Sequence, residues 1–378
     1  MKKSILLATS AIIAAGAFTV DAQAVDVELY GQVNKGVMGY SVGNDSEVAI
    51  VDNDVSSTRF GLRGEQQLDH GLTASALIEV EFNNDNASNL IAQPTNNGAP
   101  TDTAAAGFQE RHARVGLAGQ WGALFVGRTS SATDGITEID LGPVADILNS
   151  ATDRIGGGLT AGGAGTIAAL TDNMDGIGYN ASTAAGDANT DDRANLVRFD
   201  TPIVEGFQGR VAYVQGGDID ASVLYNGKYD AFEVAAGIGF VTYEGGDNTT
   251  LAAPLRVDKT YAGSVSVKHD SGLSLTGAYG TRTLKNTPAG QDNPTFWYAK
   301  AGYQMGNTGF AVDYAKHTDG DITTALIEKV NAYGVGIQQD LGHGVSASAY
   351  YRTLQVSDRA VVTEEDVDVY GVNLRVKF

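Results

Sequence analysis

The chain has 378 residues, enough for two average domains or one large barrel. Its hydrophobic share of 43% and mean hydropathy of -0.11 exclude a helical membrane bundle, and its net charge of -20 argues against a nucleic-acid partner, whose phosphates need a basic surface. Cysteine is absent, which excludes a disulfide scaffold and thiolate metal sites. The one long apolar run comes first. Lys2 and Lys3 form a basic start, Ile5 to Val20 an apolar stretch, and Ala22-Gln23-Ala24 a small-residue cleavage site. Residues 1–24 therefore read as a cleaved secretory signal peptide, leaving 25–378 as one domain.

From Val25 onward, strand-like runs alternate with two kinds of break. Short turns are rich in glycine and aspartate, as at Asp69-His70-Gly71, Gln120-Trp121-Gly122, Ser271-Gly272 and Gly342-His343-Gly344. Longer polar breaks fall near 43–55, 84–107, 129–194, 216–218, 245–258, 284–294, 318–328 and 357–366. One quiet end and one elaborate end describe an up-and-down meander of about sixteen strands. Within the runs, period-2 alternation is clear. Phe207, Gly209, Val211 and Tyr213 alternate with Gln208, Arg210 and Ala212; Leu275 and Tyr279 alternate with Ser274, Thr276 and Arg282. The second face is small and polar almost everywhere, the reverse of a soluble barrel. The last run, Val367 to Phe378, puts Tyr370, Val372, Leu374, Val376 and Phe378 on one face. Lipid is the expected cover for that face, and pairing with the first strand would close the barrel. Tyrosines near strand ends, including Tyr30, Tyr213, Tyr229, Tyr243, Tyr261, Tyr303 and Tyr370, suit the headgroup boundary. The fold class is thus all-β, a transmembrane antiparallel β-barrel with a wide, aqueous interior. The run from Gln109 to Gly119 fits neither face cleanly, since His112 and Arg114 oppose Arg111; a bulge or a subunit contact would explain it.

The insert at 129–194 is too long for a hairpin loop, and inside a wide barrel its simplest use is to fold inward and narrow the bore. Its first half carries Asp134, Glu138, Asp140 and Asp146; its second, GGGLTAGGAG, reads as flexible. Here the sequence resembles the trimeric general porins of the Gram-negative outer membrane. The motifs are Val27-Glu28-Leu29-Tyr30-Gly31, Arg59-Phe60-Gly61-Leu62-Arg63-Gly64-Glu65, Asn195-Leu196-Val197-Arg198-Phe199-Asp200-Thr201-Pro202 and the terminal Phe378, in that order. The resemblance implies a sixteen-stranded barrel with its third loop inside, a homotrimer, and contact with outer-membrane lipid and lipopolysaccharide. It implies passage of small hydrophilic solutes and ions. Arg59, Arg111, Arg128 and Arg198 match the family's basic wall, and Asp140, with Glu138 and Asp146, the acidic loop facing it. Gln32 stands where a lysine often completes the ladder, and Val144 where a loop glutamate is usual.

The acid excess leans toward cation preference. Asp52-Asn53-Asp54 is a weak calcium pattern in an outer loop. The five histidines show no metal spacing, and no nucleophile elbow, P-loop or dinucleotide fingerprint is present, so no enzyme activity and no cofactor or metal are expected. A substrate-selective channel, for oligosaccharide or phosphate, and a surface adhesin are the alternatives. The first would need an aromatic slide or arginine cluster inside, and the second would put its bulk in outer loops.

Overall fold

The structure is a computed structural model that describes residues 26–83, 85–88, 90–91, 101–102, 107–161, 166–177, 192–243, 257–285, 292–319, 328–358 and 366–378. The signal-peptide segment lies outside the described residues. Each strand pairs antiparallel with the next, from β1 (Asp26–Val42) to β16 (Asp366–Lys377). In between come β2 (Asp45–Asp52 and Arg59–Gln67), β3 (Thr73–Asn83), β4 (Gly107–Gly119), β5 (Gly122–Ser130), β6 (Arg193–Asp200), β7 (Phe207–Val214) and β8 (Ile219–Tyr229). Then follow β9 (Phe232–Thr242), β10 (Val257–His269), β11 (Leu273–Leu284), β12 (Thr295–Met305), β13 (Thr308–Thr318), β14 (Glu328–Gly342) and β15 (Val345–Asp358). β16 returns to β1 in register Gln32 with Lys377, and Gly31 and Phe378 exchange backbone bonds of 2.9 and 3.0 Å. The sheet therefore closes with sixteen strands and no open edge, which satisfies the backbone polar groups that lipid cannot.

β2 is interrupted, which differs from the break expected at 43–55. The chain turns at Gly43 and Asn44, resumes as strand, and kinks at residues 53–58. Asn53 caps this kink by accepting from the Val55 and Ser56 amides. Gln32 donates to the Ser56 and Ser57 carbonyls at 3.0 and 2.8 Å, so it holds the kink and does not extend the ladder.

The outer face is apolar as the alternation predicts. Val27, Leu29, Ile50, Ile78, Val115, Ile238, Leu275, Val372 and Phe378 are all exposed on it. Tyr213, Tyr229, Tyr261, Tyr303 and Tyr370 are exposed too, but two expected members of the tyrosine belt point elsewhere. Tyr30 donates inward to Glu79 at 2.8 Å, and Tyr243 is buried against Thr260. Strand alternation alone cannot tell a tyrosine at the lipid boundary from one turned to a polar partner inside.

The inner face is not uniformly small and polar. A large apolar cluster joins Val144, Ile147, Leu148, Ile155, Leu159, Ile167, Leu170 and Met174 of the long insert to Met38, Tyr40, Phe296, Tyr298, Val330, Tyr350, Leu354 and Val369 of the wall. Each such side chain contributes about 1.5–3 kcal/mol when buried, so the contact is a core in its own right. Wall glycines make it possible. A Cβ at Gly336 would lie 2.8 Å from Val144 Cγ1, and one at Gly237 would lie 2.6 Å from Ile136 Cδ1. The Gly-rich stretch, expected to be flexible, is packed where described: Leu159 is fully buried and its amide bonds to the Gly156 carbonyl at 3.0 Å. Residues 162–165 lie outside the described residues, as does most of the second long break.

Candidate channel and its constriction

The insert spans residues 131–192 between β5 and β6. Its contacts run round the inner wall in order. Ser222 of β8 donates to the Ala132 carbonyl at 2.5 Å, and Ser264 of β10 to Ile136 at 2.7 Å. The Leu141 amide donates to Ser266 at 2.9 Å, and Thr276 of β11 to Asp140 at 2.8 Å. Lys300 of β12 reaches Asp140 at 2.7 Å and the Leu148 carbonyl at 2.9 Å. His317 of β13 meets Thr152 at 3.0 Å, Gln338 of β14 donates to Asp146 at 2.8 Å, and Arg375 of β16 pairs with Asp146 at 2.5 Å. Asn53 of the β2 kink ends the series on the Asp146 carbonyl at 3.0 Å. The insert thus lies against β8 to β16 and the kink.

Two of the acids expected to face the arginine wall are consequently spent elsewhere. Asp140 is buried with Lys300, and Asp146 is shared by Arg375 and Gln338. Glu138 accepts from Asn173 within the insert at 3.1 Å. Burial raises the carboxyls of Glu138 and Asp153 above the usual carboxylate range. Asp134 lies in electrostatic reach of a different part of the wall, His112 and Arg210. Lys300 and Arg375 were missed from the sequence because single basic residues on late strands carry no local motif.

The sector from β2 to β7 is different, being lined by charge. Arg111 pairs with Glu79 at 2.6 Å and Glu81 at 2.5 Å, while Arg59 lies 3.8 Å from Glu79. The unresolved faces of β4 are explained by a register shift opposite Glu79 and Val80. Arg111 is the extra residue of this bulge, so Arg111 and His112 both turn inward, and His112 meets Thr129 at 3.1 Å. Further along, the Arg114 and Arg198 guanidinium carbons lie 4.2 and 5.1 Å from the Phe125 ring centre. Arg198 bonds Asp200 at 2.9 Å, and Arg210 lies 3.7 Å from the same carboxylate. Near the β1 start, Arg63 and Glu28 pair at 2.8 Å with side chains 57% and 58% exposed, so water reaches this inner wall.

Arg128 must be corrected. It follows Leu124 and Val126 on the outer face, while Thr129 faces in; its Nε donates to the Glu110 carbonyl at 2.9 Å, away from the lumen. Proximity to the insert in sequence suggested a pore role, but strand parity assigns the opposite face. Accordingly, Arg128→Gln is expected to leave the bilayer reversal potential unchanged, whereas Arg198→Gln should move it toward cations.

Asp52-Asn53-Asp54 does not converge on one point. Asp52 accepts from the Thr58 amide at 2.7 Å and pairs with Lys35 at 3.1 Å, Asn53 caps the kink, and Asp54 bonds Ser88. These side chains fix the kink and the inner loop.

A closed antiparallel barrel with a lipid-facing apolar outside, a charged inner sector and a strand-spanning insert defines a transmembrane channel protein. A family model described as Gram-negative porin matches residues 8–359, and the chain belongs to that family. No curated relative matches the sequence. Among solved structures, the anion-selective porin from Comamonas acidovorans superposes with a TM-score of 0.63 at 18% identity, covering 94% of this chain and 100% of that one. The outer membrane channel DcaP of Acinetobacter baumannii gives 0.56 at 12%, covering 96% and 99%, and OmpT of Vibrio cholerae in its trimer form gives 0.55 at 11%, covering 94% and 100%. At these identities the likeness is one of fold. Family and fold together make the protein an outer-membrane diffusion channel.

Proposed function

We propose that the channel is a general one, passing ions and small hydrophilic solutes along the β2–β7 wall, with the docked insert setting the size limit. The observation that carries this reading is the division of the inner wall: from β11 to β16 it is covered by the insert through apolar packing and ion pairs, and from β2 to β7 it is lined by charge. The acid excess of the whole chain is not concentrated on the charged sector. Arginines and carboxylates are paired along it: Arg59 and Arg111 with Glu79, Arg111 with Glu81, Arg63 with Glu28 of β1, and Arg198 and Arg210 with Asp200. The field is therefore transverse, from guanidinium to carboxylate, and ion selectivity is weak. The chain acts as a conduit with no reaction of its own, and three copies assemble in the membrane.

Liposome swelling with sugars of graded size tests the size limit. Monosaccharides should enter fastest, with rates falling steadily as size rises and no sugar saturating. Saturation by one solute would instead mark a substrate-selective channel.

A further inference from the structure

The neck of the insert brings together three carboxylates that the channel reading does not use. Asp134 opens the insert, Asp175 lies near its far end, and Asp192 immediately precedes β6, yet their carboxylate oxygens lie within 4.8 Å of one another. Asp175 and Asp192 are buried, at 5% and 7% exposure. Like charges at this separation repel strongly in a low-dielectric site. Asp175 has partial relief from the Gly135 amide at 2.8 Å and the Thr137 amide at 3.3 Å. Asp192 brings a carboxylate oxygen within the same 4.8 Å. Thr137, fully buried, has a hydroxyl with no hydrogen-bond partner among the described residues, and its own amide donates to Asp175. Gly176 completes the cradle, since a Cβ there would lie 2.4 Å from Asp192 Oδ1. Glu138 adds a further acid, and Arg154 acts on Asp192 while also serving Asp153, Glu138 and Asp54.

We infer that Asp134, Asp175 and Asp192 bind a calcium ion that clamps the neck of the insert. Three hard oxygen donors with a hydroxyl close by suit calcium, which accepts 6–8 oxygens in flexible geometry. Bound there, the ion ties both ends of the insert to the start of β6.

The test uses the full mature chain refolded in detergent, free of lipopolysaccharide, with calcium and magnesium chlorides as probes. Titration calorimetry should show one calcium per chain, bound at least tenfold tighter than magnesium, and calcium should raise the unfolding temperature. Asp192→Asn should weaken calcium binding at least tenfold, and in chelator it should unfold no lower than the parent because one repelling charge is gone. Asp175→Asn provides a second reading should the first variant refold poorly. No saturable calcium binding up to ~10 mM, beyond the weakest extracellular calcium modules, would overturn the assignment. Undiminished binding in both variants, or equal affinity for magnesium, would do so as well.

Discussion

Removing residues 136–174 and joining Gly135 directly to Asp175 is expected to raise single-channel conductance several-fold and to admit sugars that the parent excludes. The cut is feasible because the two ends already meet: the Gly135 amide donates to Asp175 at 2.8 Å, and the Gly176 amide to the Thr133 carbonyl at 3.3 Å. The deletion strips the insert side of the apolar cluster and exposes Phe296, Tyr298, Leu354 and Val369 to the lumen. The barrel should still form, because its strand pairings close without the insert. Stability should fall in heat-dependent electrophoresis while the folded band persists. Unchanged conductance would mean that the insert does not limit the path.

The second large effect concerns Lys300. Its side chain is 1% exposed and Asp140's is 6%, and they pair at 2.7 Å. Lys300→Met removes the cation and leaves a buried carboxylate, a change that costs about 3–5 kcal/mol for such pairs. The loss should appear as a lower midpoint of denaturant unfolding and as noisier channel current, since Lys300 also holds the Leu148 carbonyl. Adding Asp140→Leu should recover most of the midpoint, because replacing both partners of a buried pair by apolar groups is often neutral. If the double variant were no better than Lys300→Met alone, the pair would not be what fastens the insert.

The outward face of the barrel was legible from the sequence because its rule is local. Val211, Val372 and Leu275 each declare their side by the residue two places away. Closure was legible for the same reason, with a final strand shaped to meet the first. The inner face was harder, since what covers it comes from far along the chain. Phe296 and Tyr350 read as strand residues like any other, and only the insert laid over them explains why an aromatic can point inward. Gly334 and Gly336 make room for Leu148 on the inner face, a use that only the folded insert reveals. A single inserted residue was enough to confuse β4: with the bulge at Arg111, parity switches in mid-strand, and no periodicity analysis finds that without the partner strand. Arg128 differs for a related reason: it adjoins the insert in sequence, but it shares strand parity with the outward Leu124 and Val126. Of the expected basic wall, Arg59, Arg111 and Arg198 lie inside, yet each already has a carboxylate nearby on the wall. The expected face-off with Asp140 needed the fold of the whole insert, which spacing does not encode.

The absence of cysteine allows a direct test of where the water runs. Single cysteines at Arg63, on the exposed charged sector, and at Ala332, 1% exposed beneath the insert, can be challenged with a charged methanethiosulfonate while current is recorded across a planar bilayer. Reaction within seconds and a stepwise fall in current at position 63, with none at 332, is the expected result. Rapid reaction at 332 with silence at 63 would put the aqueous path on the opposite side of the lumen and contradict the division of the wall.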